Sequence, residues 1–262
     1  MRSFLVALAA ASAIQAQAEV LYQDTFDSAT FPYASGQIAT GTNSGQNGWT
    51  LHSGTTGASL DSGRLALSQA NSADVNHTIV AADPIATGNL YASFTVQFET
   101  APNAAGSYFA HFRDASTGFR ARIWASNANA ATDKFRLGIA NSSAGSVTSG
   151  QYPVDLSLHS TYAVVMKYSV DTGFSTLWID PKTESDPSVT ATDAVGLLSI
   201  SSFAFRQGTS SGTPTGQMGD LFVDNLRVGR LFSDVVTAVP EPSSLVLLGL
   251  GFAALAFHLR RR

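Results

Sequence analysis

The side chains that could perform acid–base or nucleophilic chemistry are few and dispersed. Between residues 19 and 239 of this 262-residue chain the glutamates are Glu19, Glu99 and Glu184. A retaining glycosidase holds two carboxyl groups about 5–5.5 Å apart, one as nucleophile and one as acid. None of the three glutamates sits in a pattern that would supply such a pair. Glu184 belongs to Asp180-Pro181-Lys182-Thr183-Glu184-Ser185-Asp186-Pro187, which reads as a solvated loop. Gly-x-Ser-x-Gly is absent, and Thr42-Asn43-Ser44-Gly45 lacks the spacing of a nucleophile elbow. Zinc wants histidines at close spacing, whereas His52, His77, His111 and His159 are far apart and read as a scattered surface set. His111-Phe112-Arg113-Asp114 has neither the glycine-rich loop nor the strand lysine that would make it a phosphoryl-transfer loop. The chain has no cysteine, which excludes thiolate chemistry and disulfides.

Binding chemistry is better represented. Sugar recognition needs an aromatic platform beside hydrogen-bonding groups, and the tryptophans are Trp49, Trp124 and Trp178. Strand alternation over residues 119–124 puts Phe119, Ala121 and Ile123 on one face and Arg120, Arg122 and Trp124 on the other. Trp124, Arg120 and Arg122 are therefore the expected glycan-binding set, with Tyr108 adjacent in the sheet. Trp49 and Trp178 are expected in the core.

The elements that must hold these residues are strands. Charged residues make up 13% of the chain, about half the usual share, which suits a sandwich with polar turns. Residues 60–67, 90–99, 107–113, 119–124, 135–140, 162–168, 174–179, 198–205 and 221–228 read as strand-forming segments separated by Gly, Asn, Ser and Asp turns. Residues 169–173 join two of them in a hairpin. No segment keeps a helical apolar period over two turns. The expected fold is all-β, an antiparallel β-sandwich of the jelly-roll type. Residues 127–132 and 208–219 read as loops.

Both ends differ from this middle. Met1-Arg2-Ser3, an apolar run and Ala16-Gln17-Ala18 form the three parts of a secretory signal peptide, with cleavage expected after Ala18. At the other end stand Val239-Pro240-Glu241-Pro242-Ser243-Ser244, a run of apolar residues, and Arg260, Arg261 and Arg262. Residues 243–259 read as one transmembrane helix whose terminal arginines stay cytoplasmic, so the bulk of the chain faces outward. The expected organisation is a signal peptide at 1–18, a β-sandwich at 19–236 and a sorting signal at 237–262. The exported part keeps 11 basic and 18 acidic residues, a formal charge of −7. A nucleic-acid footprint would need clustered Lys and Arg, so no nucleic-acid partner is expected.

The Pro240-Glu241-Pro242 motif, the apolar helix and the arginine cluster resemble the PEP-CTERM sorting signal. That resemblance implies export by the Sec route with signal peptidase, recognition by an exosortase-type enzyme, a transient inner-membrane anchor, and delivery to the cell surface or extracellular matrix. A second resemblance rests on Asp24-Thr25-Phe26-Asp27, Gly48-Trp49, Leu60-Asp61-Ser62-Gly63-Arg64-Leu65, Leu177-Trp178-Ile179-Asp180-Pro181, Phe203-Ala204-Phe205-Arg206-Gln207 and Val223-Asp224-Asn225-Leu226-Arg227-Val228. In this order they look like the concanavalin-A-like, or laminin-G-like, jelly rolls. The resemblance implies that first and last strands meet and share a structural calcium, for which Asp24, Asp27 and Asp224 are the candidate ligands. Those jelly rolls include lectins, carbohydrate-binding modules and glycan hydrolases; with the catalytic constellations missing and the sorting tail present, the expected protein is a non-catalytic surface or matrix protein that binds extracellular polysaccharide or serves structurally. The alternative is an atypical glycan-active hydrolase.

Overall fold

The computed structural model describes residues 19–31, 33–40, 45–54, 57–80, 82–143, 145–208 and 218–236. The expected signal peptide at 1–18, Pro240, Glu241 and Pro242, the helix at 243–259, and Arg260, Arg261 and Arg262 lie outside the described residues. Among the described residues no helix is long and apolar enough to cross a membrane.

In chain order the strands are β1 (Val20–Asp24), β2 (Gly36–Gln37), β3 (Thr50–Ser53), β4 (Ser59–Asp61), β5 (Arg64–Leu67), β6 (Asp74–Thr78), β7 (Asn89–Phe98) and β8 (Ser107–Arg113). They continue as β9 (Phe119–Ser126), β10 (Lys134–Ala140), β11 (Leu156–Ser157), β12 (Thr161–Ser169), β13 (Ser175–Ile179), β14 (Val189–Thr190), β15 (Ser202–Arg206) and β16 (Leu221–Gly229). A short α-helix, α1 (Phe232–Val235), follows, and a 3-10 turn spans Gln46–Gly48. The strands form two antiparallel sheets. Sheet 1 runs β14-β13-β12-β7-β16-β5-β4-β2, and sheet 2 runs β11-β10-β9-β8-β15-β6-β3. In sheet 1 the free edge of β16 is shared. Its first part pairs with β5 and its last part with β1, Val20 opposite Gly229. The first and last strands therefore do meet.

Alternation builds the core between the sheets. On β7, Leu90, Ala92, Phe94, Val96 and Phe98 point inward and are buried, as a period of two requires. Phe94 packs on Phe205 at a ring-centroid distance of 5.4 Å, and Phe98 on Phe135 at 4.4 Å. Such pairs contribute about 0.5–1.5 kcal/mol each beyond the area they bury. Trp49 is in this core, as expected. Trp178 is buried too, but elsewhere. It belongs to a second cluster with Tyr91 and Val165 on the outer face of sheet 1, covered by Phe232 and Val235 of α1. The hairpin β12–β13 forms through residues 169–173 as the turn residues indicate.

Candidate functional site

The strand that carries Trp124 does not alternate throughout. Ala121 has a positive φ of 51°, and the β8–β9 ladder shifts register between Tyr108 and Ala110 and again between Ala110 and Phe112. A bulge of this kind places two successive residues on one side. Arg120 and Ala121 therefore both turn toward the sandwich interior, and the expected set is split. Arg120 does not stand beside Arg122 and Trp124. Its Nε donates to the Gly196 carbonyl at 2.7 Å, the same oxygen that Tyr168 of β12 reaches at 3.1 Å. Phe119, expected on the apolar side, takes the place of Arg120 on the outer face. Its ring lies 4.3 Å from His111 and 6.3 Å from Tyr108.

The outer face of sheet 2 gathers more chemistry than the sequence suggested. Tyr108 of β8 lies between two guanidinium groups, Arg206 at 4.4 Å and Arg122 at 4.7 Å from its ring centre. Arg122 also covers Trp124 at 5.2 Å, and the Tyr108 and Trp124 rings are 5.6 Å apart. Arg122 is oriented from behind by the loop after β10, its Nε donating to Ser142 O at 2.9 Å and its Nη2 to Gly145 O at 2.6 Å. Arg206 donates to Ser107 Oγ at 3.0 Å, and its Nε is 3.5 Å from Asp74 Oδ1. His52 Nε2 is 3.7 Å from the other oxygen of Asp74, and the His52 and His111 rings are 6.1 Å apart. Arg122, Arg206, Asp74, Tyr108 and His111 are buried, while Trp124, Phe119, Arg113 and His52 are half-buried around them.

Unmet hydrogen-bonding capacity concentrates on this face. Buried polar atoms without a hydrogen-bond partner include both ring nitrogens of His111, His52 Nε2, Asp74 Oδ1, Arg113 Nε and the indole Nε1 of Trp124. Native interiors leave few such atoms, and each costs about 1–3 kcal/mol when no partner is met. Burial sets the charges. It lowers the His52 pKa to about 4, with the Arg113 cation adding to the effect. His111 is driven well below the usual histidine range by burial, then by His52 and Arg206. Burial lifts Asp74 to about 6 against the opposing pull of Arg206. Both imidazoles are thus neutral near pH 7, and the cationic groups here are Arg113, Arg122 and Arg206.

Of these residues, sequence reasoning named Trp124, Arg122 and Tyr108 and missed His52, His111, Asp74 and Arg206. Their meeting depends on the register β8–β15–β6–β3, in which Ala204 stands opposite both His111 and Asn76, and Arg206 opposite Asp74. The readable signal was an arginine directly after the apolar run Phe203-Ala204-Phe205. Two of the four histidines, His52 and His111, share this face, while His77 stacks on Tyr22 at 3.7 Å elsewhere and His159 is exposed beside Glu99. Glu184 is also more engaged than a solvated loop residue. Its Oε1 accepts from Tyr91 at 2.6 Å and from Lys167 at 3.0 Å.

The aspartates expected to hold calcium approach one another at the β1–β16 seam, yet they do not fit the ion. Asp24 is fully buried. Its Oδ2 accepts from Trp49 Nε1 at 2.9 Å, Tyr22 OH at 2.8 Å and Tyr33 OH, and its Oδ1 from the Phe26 amide at 2.8 Å. Both oxygens are committed to donors inside the core. Asp27 caps its own turn through Thr30, and Asp224 accepts from the adjacent Asn225 amide at 2.6 Å. Calcium takes six to eight oxygens. Among the described residues no three His, Asp or Glu side chains are placed to hold a metal ion.

Residues 238–262 match the PEP-CTERM protein-sorting motif. No curated protein matches the sequence. Among solved structures, the chain is similar to the CBM2 module of the evolved Dit of Lactobacillus casei BL23 phage J-1, with a TM-score of 0.48 and 15% identity over 81% of this chain and 95% of that one. It is similar to the metal-free lectin I-B4 of Griffonia simplicifolia, with a TM-score of 0.44 and 12% identity over 66% of this chain and 89% of the lectin. A Trypanosoma rangeli sialidase gives a TM-score of 0.44 and 14% identity over 79% of this chain. This chain spans 36% of that sialidase and 17% of another one.

Proposed function

We propose that this is an exported protein, processed after Ala18 and sorted through residues 238–262 by an exosortase-type enzyme, whose sandwich binds a glycan at the cell surface or in the extracellular matrix. Binding takes place on the outer face of sheet 2. The observation that carries this reading is Trp124, half-buried, with an unpartnered indole N–H and its ring set against Tyr108 and Arg122. An aromatic surface with adjacent unmet donors is what a sugar ring needs, one face apolar and its hydroxyls in want of partners. Arg113, Arg122 and Arg206 gather on this face of a domain of net charge −7, with Asp74, Asp114 and Asp193 beside them, and these guanidinium donors favour a glycan that carries uronate or sulfate groups.

A binding role fits this face better than a hydrolytic one. Most glycoside hydrolases use paired carboxyl groups, and here Asp74 stands against Arg206 while Glu184 lies on the outer face of sheet 1 against Tyr91. The test is calorimetric titration of the processed chain with acidic and neutral oligosaccharides. Saturable binding of the acidic set is expected, weakened at least about tenfold, or roughly 1.4 kcal/mol, by Trp124→Ala with the melting temperature nearly unchanged. A folded protein that binds neither set, or a Trp124→Ala chain that binds as well as the parent, removes the proposal. Release of reducing ends from the acidic oligosaccharides would replace it with a hydrolase.

A further inference from the structure

Strand β1 begins at Val20, and the residue before it makes an unusual contact. The backbone nitrogen of Glu19 donates to Asp234 Oδ1 at 3.2 Å across 215 positions of sequence. Asp234 is 1% exposed. Its other oxygen accepts from the amides of Arg230 at 2.9 Å and Leu231 at 2.7 Å. Among the described residues no side-chain cation lies within ion-pair distance of this carboxylate. The nearby Arg230 guanidinium is turned away to the Thr87 carbonyl at 2.6 Å. A buried carboxylate held by backbone amides alone is short of a counter-charge, and burying one without it is costly.

The surroundings fix the site. The β1–β16 register sets Val20 against Gly229 and so fixes where Glu19 falls. Gly229 leaves the space that Asp234 occupies, because a Cβ there would come within 2.4 Å of the Asp234 Cβ. Asp234 is held in turn by its helix. Phe232 and Val235 pack on Tyr91, Val165 and Trp178, and Ser93 Oγ donates to the Val235 carbonyl at 2.7 Å. This clamp ends at the threshold of the sorting motif, which begins at residue 238.

We infer that Asp234 is a built-in binding site for a primary ammonium, the α-amino group of Glu19 that export processing exposes, and that docking of this group locks the segment leading into the sorting motif. The inference rests on the proposed processing after Ala18. Signal peptidase adds water across the Ala18–Glu19 peptide bond, leaving a carboxylate on Ala18 and an amine on Glu19 that takes a proton from solvent. Before the cut, Asp234 receives one neutral N–H from Glu19. After it, the same nitrogen is a cation with three donors, and a charge-assisted hydrogen bond is roughly twice as strong as a neutral one. Processing at the front of the chain is in this way sensed at its back.

The test compares the processed chain, residues 19–262 in mild detergent, with a free Glu19 amine and with an acetylated one. Each form is made with Asp234 and with Asp234→Asn. Acetylation is expected to lower the thermal midpoint of the Asp234 chain by roughly 3–6 °C, on the scale of 2–4 °C per kcal/mol for a domain of this size, and to leave Asp234→Asn unchanged. Equal midpoints for the free and acetylated Asp234 chains overturn the inference. So does an equal fall in both backgrounds, which would make Asp234 a structural cap without charge coupling. Should Asp234→Asn fail to fold, the pair with Asp234 intact decides the matter. N-terminal sequencing of the exported protein separates the two readings. A terminus other than Glu19 removes the processing premise, whereas a terminus at Glu19 with no acetylation effect removes only the inference.

Discussion

The two outward faces of the sandwich start from the same strand alternation and are finished in opposite ways. On sheet 1, Tyr91, Val165 and Trp178 are covered by Phe232 and Val235. Trp178 Nε1 donates to the Glu184 carbonyl at 3.3 Å and Tyr91 OH to the Glu184 carboxylate, and Arg227 Nε is the buried side-chain atom on this face left without a partner among the described residues. On sheet 2, Arg122 lies over the Trp124 ring, and the Trp124 indole N–H, both ring nitrogens of His111 and His52 Nε2 have no hydrogen-bond partner. The first face is packed for stability. The second keeps unmet hydrogen-bonding capacity under a half-buried aromatic rim, which costs stability and is what a binding face requires. Two tryptophans of equal size thus have unequal tasks.

The same truncation applied to both faces gives the largest test of this contrast. Trp178→Ala is expected to destabilise the domain by about 3–5 kcal/mol in denaturant titration and to leave glycan affinity intact. Trp124→Ala should cost less than about 1.5 kcal/mol, since its site is only half-buried, while removing binding. Comparable stability losses would erase the distinction between the faces.

Acid should act mainly on the second face. His52 and His111 are held below their unfolded pKa of about 6.5 by burial. The unfolded chain therefore binds more protons as the pH falls from about 6.5 toward 4, and stability falls with it. Asp74 works the other way. Its folded pKa of about 6 lies above the unfolded value of about 3.9, so it takes up a proton in the folded state over that window and offsets part of the loss. Two histidines against one aspartate leave a net decline on acidification, and Asp74→Asn should steepen it. Melting temperatures recorded from pH 7.5 to 4.5 check both signs. A flat profile, or a shallower one in Asp74→Asn, would show that the histidines are not held neutral.

The smallest effect is expected at the seam between the sheet edges. Because Asp24 is saturated by Trp49, Tyr22, Tyr33 and the Phe26 amide, a chelator should leave the melting temperature as it is in excess calcium. A chelator-induced drop would show a metal site that Asp24 does not supply.

Much of the frame was legible because period-two patterns were strong. Residues 107–113 match β8, and the hairpin through 169–173 follows from its turn residues. The failures have local causes. A positive φ at Ala121, a residue with no special tolerance for it, moves Arg120 to the inner side, and no alternation rule registers that. His52 and Asp74 lie on β3 and β6, short strands whose polar residues hide their pattern. Their meeting with His111 is a matter of register across several pairings, a long-range property. Asp24, expected as a calcium ligand, is instead the acceptor around which two tyrosines and a tryptophan close the core.

The clamp at residues 231–236 also has a mechanical consequence. From Val236 to Pro240 the chain advances four residues, which at about 3.3–3.6 Å each reaches no more than about 14 Å. The folded sandwich is far larger than that leash. Whatever enzyme acts on the Pro-Glu-Pro sequence therefore works within about that distance of the sandwich.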